Sequence, residues 1–216
     1  GFARGMEFSA VEQGEDFVTL ELRENEQTLA HYPFSFSLQV THRLLEDGFS
    51  TAFSVRNTGS APMPFCIGGH TAIRIPEGYR FEDCELLFDE AEEADSHLLS
   101  PEGIILHNGR RPMLKGDRIA LDYGTFAEMD TVIFSMLRSG KVALRHRQTG
   151  WGVQLDFHEF PMVAFWTKPG APYLCLEPWQ GCAAYDNESG KFEDKPFCTV
   201  LQPGEEKELS YTFCLE

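Results

Sequence analysis

The stretch that decides the fold class is residues 34–41, FSFSLQVT, in which apolar residues occupy the even positions and polar residues the odd ones. Such period-two alternation is typical of a β-strand with one buried face. After Glu46, Asp47 and Gly48 the alternation resumes over residues 49–55. An Asp-Gly pair between two alternating runs predicts a hairpin, and we expect its turn to require a positive φ.

The same alternation recurs in residues 18–22, 153–157 and 209–215, and no long amphipathic helix is evident. Many short strands without helical crossovers predict an all-β chain, an antiparallel sandwich of two sheets forming a single domain over residues 1–216. Residues 89–100 are strongly acidic. They favour either a solvated loop or a single turn of helix.

Composition excludes several classes of partner. The formal net charge of −16 repels phosphate backbones and anionic lipid heads, so we expect neither nucleic acid nor a membrane as partner. No apolar run approaches the roughly 20 residues that span a bilayer, and no basic segment followed by an apolar one opens the chain. The sequence therefore predicts a soluble, cytoplasmic protein.

The six cysteines indicate neither a disulfide framework nor a metal site. None forms a Cys-x-x-Cys pair, and no histidine pair has a familiar zinc spacing. Cys66 and Cys175 lie in apolar runs, which predicts small buried side chains. We expect all the thiols to be reduced.

Residues 62–70, PMPFCIGGH, form the first candidate functional segment. Two prolines and two glycines bracket a short apolar strand just before His70, and paired glycines allow a close approach to a ligand or another backbone. One interpretation is that His70 is presented into a cleft. The other is an inert histidine, hydrogen-bonded at the end of a strand.

The second candidate segment is residues 173–181, YLCLEPWQG. Here Glu177 follows an apolar strand, where burial would raise its pKa and make it a better base at neutral pH. Trp179 could stack on the apolar face of a sugar ring. The alternative for Glu177 is a carboxylate that caps backbone amides.

Taken together, these motifs resemble the aldose 1-epimerase family. The Gly-Gly-His of 68–70, preceded by the runs 55–59 and 62–65, is similar to the asparagine turn and Gly-Gly-His motif of that family. Residues 176–181 resemble the Glu-Pro-Trp segment of its bacterial subgroup, and residues 2–4 and 32–36 also look like the family. The resemblance extends along the whole chain.

The resemblance implies a galactose mutarotase-like β-sandwich (supersandwich) and a hexose substrate, with no cofactor and no metal. Glu177 would take the proton of the anomeric hydroxyl while His70 gives one to the ring oxygen, from opposite sides of a small site about a sugar ring apart. Rotation in the open form and closure on the other face would yield the opposite anomer. The sequence leaves the oligomeric state open.

Two further residues have a role only through this resemblance. Arg4 matches an arginine that faces the sugar, or is simply a surface residue. Asp130 matches loosely an aspartate that hydrogen-bonds sugar hydroxyls, or is a solvent-facing turn residue. Trp179 contacts the substrate or belongs to the core. Trp166 is expected in the core.

The chain also departs from the family pattern. Residues 71–73, TAI, follow His70 where the family has proline and an aromatic, which predicts a looser loop. Family members usually carry a further N-terminal segment, so we expect this sequence to be the C-terminal three-quarters of a longer chain, without its N-terminal strands. The prediction is a hexose mutarotase; the alternatives are a non-catalytic carbohydrate-binding or regulatory module and a hexose-6-phosphate epimerase.

Overall fold

The computed structural model describes residues 1–216 and is built almost entirely from antiparallel strands. The strands are β1 Ser9–Gln13, β2 Phe17–Arg23, β3 Phe36–Leu45, β4 Gly48–Asn57, β5 Met63–Phe65, β6 Ile67–Gly68, β7 Thr71–Arg74, β8 Cys84–Leu99, β9 Ile105–Ala120, β10 Thr131–Ser135, β11 Lys141–His146, β12 Gly152–Asp156, β13 Met162–Trp166, β14 Tyr173–Gln180, β15 Thr199–Leu201 and β16 Glu206–Leu215. The helices are α1 Glu26–Leu29 and α2 Tyr123–Met129, with 3-10 turns at Ala3–Gly5, Phe81–Asp83 and Phe192–Asp194. None of these helices has the length and apolar character needed to span a membrane.

Fourteen of the strands form one continuous sheet in the order β1-β2-β3-β4-β16-β12-β11-β8-β10-β13-β14-β6, with β7 paired to β14 and β9 to β8. Strands β5 and β15 make a separate two-stranded sheet. The predicted all-β antiparallel class is confirmed, but the two layers are not independent sheets. They are parts of one sheet that folds over on itself.

The core shows how the sheet folds over. Phe53 of β4 and Phe213 of β16 belong to the same buried cluster as Phe88 of β8 and Phe165 of β13, although these strands lie far apart in the sheet order. Because each strand turns alternate side chains inward, two facing layers can bury one continuous apolar core. This packing brings β16 next to the strands that carry the candidate site.

The predicted β3–β4 hairpin is present, with Leu45 opposite Gly48 and a turn at Glu46 and Asp47. The expected positive φ is wrong, because neither Asp47 nor Gly48 has one. Gly48 is needed for another reason. A Cβ at this position would lie 1.9 Å from the carbonyl oxygen of Phe213 on the neighbouring strand.

The acidic residues 89–100 lie mostly in strand β8, so the prediction of a loop or helical turn is wrong. Strand β9 supplies the opposite charge: Lys115 faces Glu93, and the Arg118 guanidinium lies 2.9 Å from the Glu85 carboxylate. Opposite charges across strands stabilise their pairing. The acidic segment taken alone contains no sign of this partner.

All six cysteines are free. Cys175 is buried as predicted, whereas Cys66 is only partly buried. The Cys66 thiol lies against Gly181, where a Cβ would be 2.3 Å from the sulfur. This glycine has a φ of +96°, a conformation that side chains rarely adopt.

Candidate active site

The candidate site forms where two short strands pair with the same neighbour. Gly68 of β6 lies opposite Trp179 of β14, and Thr71 of β7 lies opposite Leu176. Continuing this antiparallel register between the two pairs places His70 opposite Glu177. Side chains directly opposite one another in an antiparallel pair project from the same face and lie close together. Strand register therefore joins two residues that are far apart in the chain.

The two glycines before His70 make this approach possible. A Cβ on Gly68 would lie 2.6 Å from the carbonyl oxygen of Pro178, and one on Gly69 would lie 2.7 Å from the ring of Tyr211. The close backbone approach expected from the Gly-Gly pair is confirmed. Thr71 begins a hydrogen-bonded strand, so the loose loop predicted after His70 is not present.

His70 and Glu177 lie side by side, with 3.5 Å between the histidine Nε2 and the carboxylate Oε1. The expectation of two groups a sugar ring apart, on opposite sides of the site, is therefore wrong. Their exposures also differ: 58% of the histidine side chain is exposed, but only 5% of the glutamate side chain. The imidazole faces solvent while the carboxylate lies beneath it.

Burial dominates the electrostatics of Glu177. Removal from water, together with the nearby charge of Asp130, raises the pKa of this carboxyl to about 7. The indole of Trp179 acts in the opposite direction, since its Nε1 donates a hydrogen bond of 3.2 Å to the carboxylate Oε2. A carboxyl with such a pKa can accept and return a proton near neutral pH.

Asp130 and Trp166 form one wall next to this pair. Asp130 ends helix α2 with a φ of +60° and accepts hydrogen bonds from Thr131 Oγ1 at 2.9 Å and from Trp166 Nε1 at 3.4 Å. Trp166 is only partly buried, and its ring stands edge-on to His70 with 6.2 Å between the centroids. The prediction that Trp166 belongs to the core is wrong, because its strand ends at the site.

Arg4, His70, Glu177 and Trp179 line one open cavity of about 690 Å³, whereas Asp130 lies outside its lining. Arg4 is exposed on the first 3-10 turn and makes no ion pair. The segment after β14 adds Lys195 to the cavity, a residue that the sequence reasoning missed. Its ammonium lies 2.6 Å from Glu188, and no local pattern distinguishes it from an ordinary surface lysine.

The fold and site together define an antiparallel β-sandwich with a paired histidine and buried glutamate at the wall of an open cavity. Comparison with known proteins shows the family to which a chain with this fold and site belongs. The family model described as aldose 1-epimerase matches residues 1–214. The chain therefore belongs to the aldose 1-epimerase family.

Individual relatives agree with this assignment. The chromosomal LacX protein of Lactococcus lactis subsp. lactis is 35% identical over 217 residues, covering 98% of this chain and 72% of the relative. A galactose mutarotase related enzyme from Lactobacillus acidophilus has a TM-score of 0.93 at 29% identity, with 100% of this chain and 73% of that one covered. A galactose mutarotase-like protein from Lactobacillus casei ATCC 334 has a TM-score of 0.91 at 25% identity, with coverage of 100% and 75%.

Proposed function

We propose that the protein is an isomerase, an aldose 1-epimerase that interconverts the α and β anomers of a neutral hexose such as glucose or galactose. The observation that carries the proposal is the buried Glu177 carboxylate 3.5 Å from the exposed His70 imidazole. Anomer exchange needs one base and one acid and no cofactor. Reduced thiols and the acidic surface support a cytoplasmic protein that acts on small molecules, with residues 1–216 working as one domain.

In the proposed mechanism Glu177 accepts the proton of the anomeric hydroxyl and His70 donates one to the ring oxygen. The bond between C1 and the ring oxygen breaks, giving the open-chain aldehyde. Rotation about C1–C2 presents the other face of the carbonyl, and the two proton transfers then run in reverse. The adjacency of the two side chains supports this assignment, because both oxygens that exchange protons are bonded to C1.

The remaining candidate residues would hold the sugar. Trp179 offers its ring to an apolar sugar face, while its indole N–H keeps the Glu177 carboxylate in place. Arg4, with no ion pair of its own, is free to donate to sugar hydroxyls. Asp130 would accept from a hydroxyl near Trp166, and its positive φ supports a functional role because strained residues concentrate at such sites.

The alternatives predict different substrates or no turnover. A hexose-6-phosphate epimerase would need cations free to bind the phosphate. Arg4 meets that need, but Lys195 is paired with Glu188. A non-catalytic carbohydrate-binding module would keep the cavity without proton transfer. The non-catalytic module gives no role to a base with a pKa of about 7 beside an imidazole, whereas the phosphate-specific epimerase would use the same pair and differs only in what binds the sugar.

Polarimetry of freshly dissolved α-galactose and α-glucose tests the proposal. The protein should accelerate the decay of optical rotation, and Glu177→Gln should abolish the acceleration because the base is lost. Asp156→Asn is the matched control and should leave the rate unchanged. Folded protein that leaves the decay unaltered would refute the mutarotase, and sugar binding in a calorimeter under those conditions would indicate the non-catalytic module. Faster anomer exchange of glucose 6-phosphate than of glucose would favour the phosphate-specific alternative.

A further inference from the structure

Next to the proton-transfer pair lies a thiol that the proposed reaction does not use. Cys175 is two residues before Glu177 on β14, so both side chains project from the same face of the strand. Both are buried, with 2% and 4% of the residue exposed. The Cys175 sulfur, a Glu177 carboxylate oxygen and a His70 ring nitrogen all lie within 4.8 Å of one another.

The spacing of these three atoms suits a tetrahedral metal ion. With zinc bonds to nitrogen and oxygen of about 2.0–2.1 Å, two tetrahedral ligands lie about 3.4 Å apart. The distance between His70 Nε2 and Glu177 Oε1 is 3.5 Å. A zinc–sulfur bond of about 2.3 Å places sulfur about 3.6 Å from the other ligands. All three atoms lie within 4.8 Å of one another, so binding would require them to close by at most about an ångström.

The chemistry of the donors selects the class of metal. Imidazole, thiolate and carboxylate together suit zinc and similar borderline-soft ions, whereas magnesium and calcium prefer oxygen ligands alone. Burial raises the pKa of the Cys175 thiol, so a bound ion would have to displace its proton to solvent. The resulting thiolate and the Glu177 carboxylate would then supply negative charge to a dication. The exposed His70 faces the cavity, so an ion could enter and the fourth ligand position would open toward the sugar site.

We propose that His70, Cys175 and Glu177 form a binding site for a zinc-class divalent cation, and that an ion there excludes the reacting end of the sugar. Metal binding stands independently of turnover; only the inhibition rests on the proposed function. Sequence spacing argued against a metal site because it considers neighbours in the chain. These ligands come from β14 and from the junction between β6 and β7, which both pair with β14.

Cobalt(II) titration of the whole protein tests the binding. Cobalt takes the place of zinc and reports a thiolate ligand through a charge-transfer absorption band. We expect one equivalent with this band, and zinc should displace it. Cys175→Ala should remove the band and raise the dissociation constant for zinc about 100-fold or more, since a direct ligand is lost.

Two further variants distinguish loss of the site from misfolding and from binding by another thiol. His70→Asn alters an exposed side chain and should weaken zinc binding by at least about tenfold while the cobalt–thiolate band remains. Cys182→Ser removes another cavity-lining thiol and should leave band and affinity unchanged. The proposal fails if the native protein binds no stoichiometric cobalt, or if Cys182→Ser removes the band and Cys175→Ala does not.

Inhibition is measured separately by polarimetry. Zinc should slow mutarotation by the native protein, and Cys175→Ala, compared with its own metal-free rate, should need about 100-fold more zinc for the same inhibition. A protein that binds cobalt through Cys175 but never accelerates mutarotation would refute the proposed function and leave the metal site intact. Mutarotation without stoichiometric metal binding would refute the metal site alone.

Discussion

Two of the regions that place a histidine beside a carboxylate differ in character. At the end of β12, His158 Nδ1 lies 2.6 Å from Asp156, and 66% of the histidine side chain and 29% of the aspartate are exposed. At the junction of β6, β7 and β14 the distance between His70 and Glu177 is 3.5 Å, but the carboxylate is only 5% exposed. The closer pair is the more hydrated one.

The two carboxylates consequently titrate in opposite directions. For Asp156, burial raises the pKa, but the hydrogen bonds from His158 outweigh it and the pKa is lowered. For Glu177, burial prevails and raises the pKa to about 7. Proximity of a histidine therefore does not make a neutral-pH base; loss of solvent does. The following predictions test this comparison, beginning with the largest effect.

The histidine substitutions should separate the regions most strongly. His70→Asn removes the proposed acid and should lower the mutarotation rate by about 10²–10⁴-fold, the usual contribution of general acid–base catalysis. His158→Asn should leave the rate unchanged, because its pair lies outside the cavity. Polarimetry of both variants decides the matter. Equal losses of mutarotation rate in the two variants would contradict the role of His70 as the acid.

The stability of Glu177→Gln should rise relative to the native protein as the pH increases. A carboxyl whose folded pKa is raised favours the folded state less and less as pH increases from its ordinary value of 4.5 through about 7. Removing the charge should therefore stabilise the protein at pH 8.5 by about 2–3 kcal/mol. Urea denaturation at pH 5 and pH 8.5 measures the difference. A variant less stable than native at pH 8.5 would contradict the cost assigned to the buried charge.

The rate of mutarotation should follow the ionisation of Glu177. Below a pH of about 7 the base is increasingly protonated, so the rate should fall about tenfold for each pH unit in the acidic range. Polarimetry from pH 5 to pH 8 gives the profile. Asp156→Asn should leave the midpoint of this pH profile unchanged. A rate that does not vary between pH 5 and pH 8 would show that the Glu177 carboxyl does not limit the reaction.

The smallest effect is expected for the exposed pair. Asp156→Asn should destabilise the protein by less than about 1 kcal/mol near neutral pH, as is usual for hydrated ion pairs. Since the folded pKa of Asp156 is lowered, its contribution is present above the ordinary value of 3.8 and is lost as the pH falls through the folded pKa. Denaturation at pH 7 and pH 3 checks both points, and a loss above 2 kcal/mol would overturn the comparison.

Local patterns predicted those parts of the molecule whose cause is local. Alternation predicted β3 and β4, because period-two burial is a property of the strand itself. The Gly-Gly pair predicted a close approach before His70, which the missing Cβ atoms of Gly68 and Gly69 allow. The prediction for the acidic residues 89–100 was wrong, since these residues form a strand by pairing with β9, which a local pattern does not contain.

The candidate site was accessible from the sequence in part. Motifs selected Glu177, His70, Trp179 and Arg4, which line one cavity. They misplaced Trp166, because a tryptophan in an apolar run looks the same whether its strand continues into the core or ends beside an exposed residue such as His70. Asp130 touches that tryptophan rather than the cavity lining. Which wall a strand end reaches depends on the folding of the whole sheet.

The sequence by itself determined the antiparallel character of the chain and the identity of the two candidate proton-transfer residues. Short local patterns, the alternation of the strands and the two motifs, are enough to predict each of them. Only the tertiary structure decided that His70 and Glu177 are neighbours and that the Glu177 carboxyl is desolvated. It also decided that the Cys175 sulfur lies within 4.8 Å of both. The physical reason is that strand register and burial are set by hydrogen bonds and packing between segments about a hundred residues apart. No local pattern contains that information.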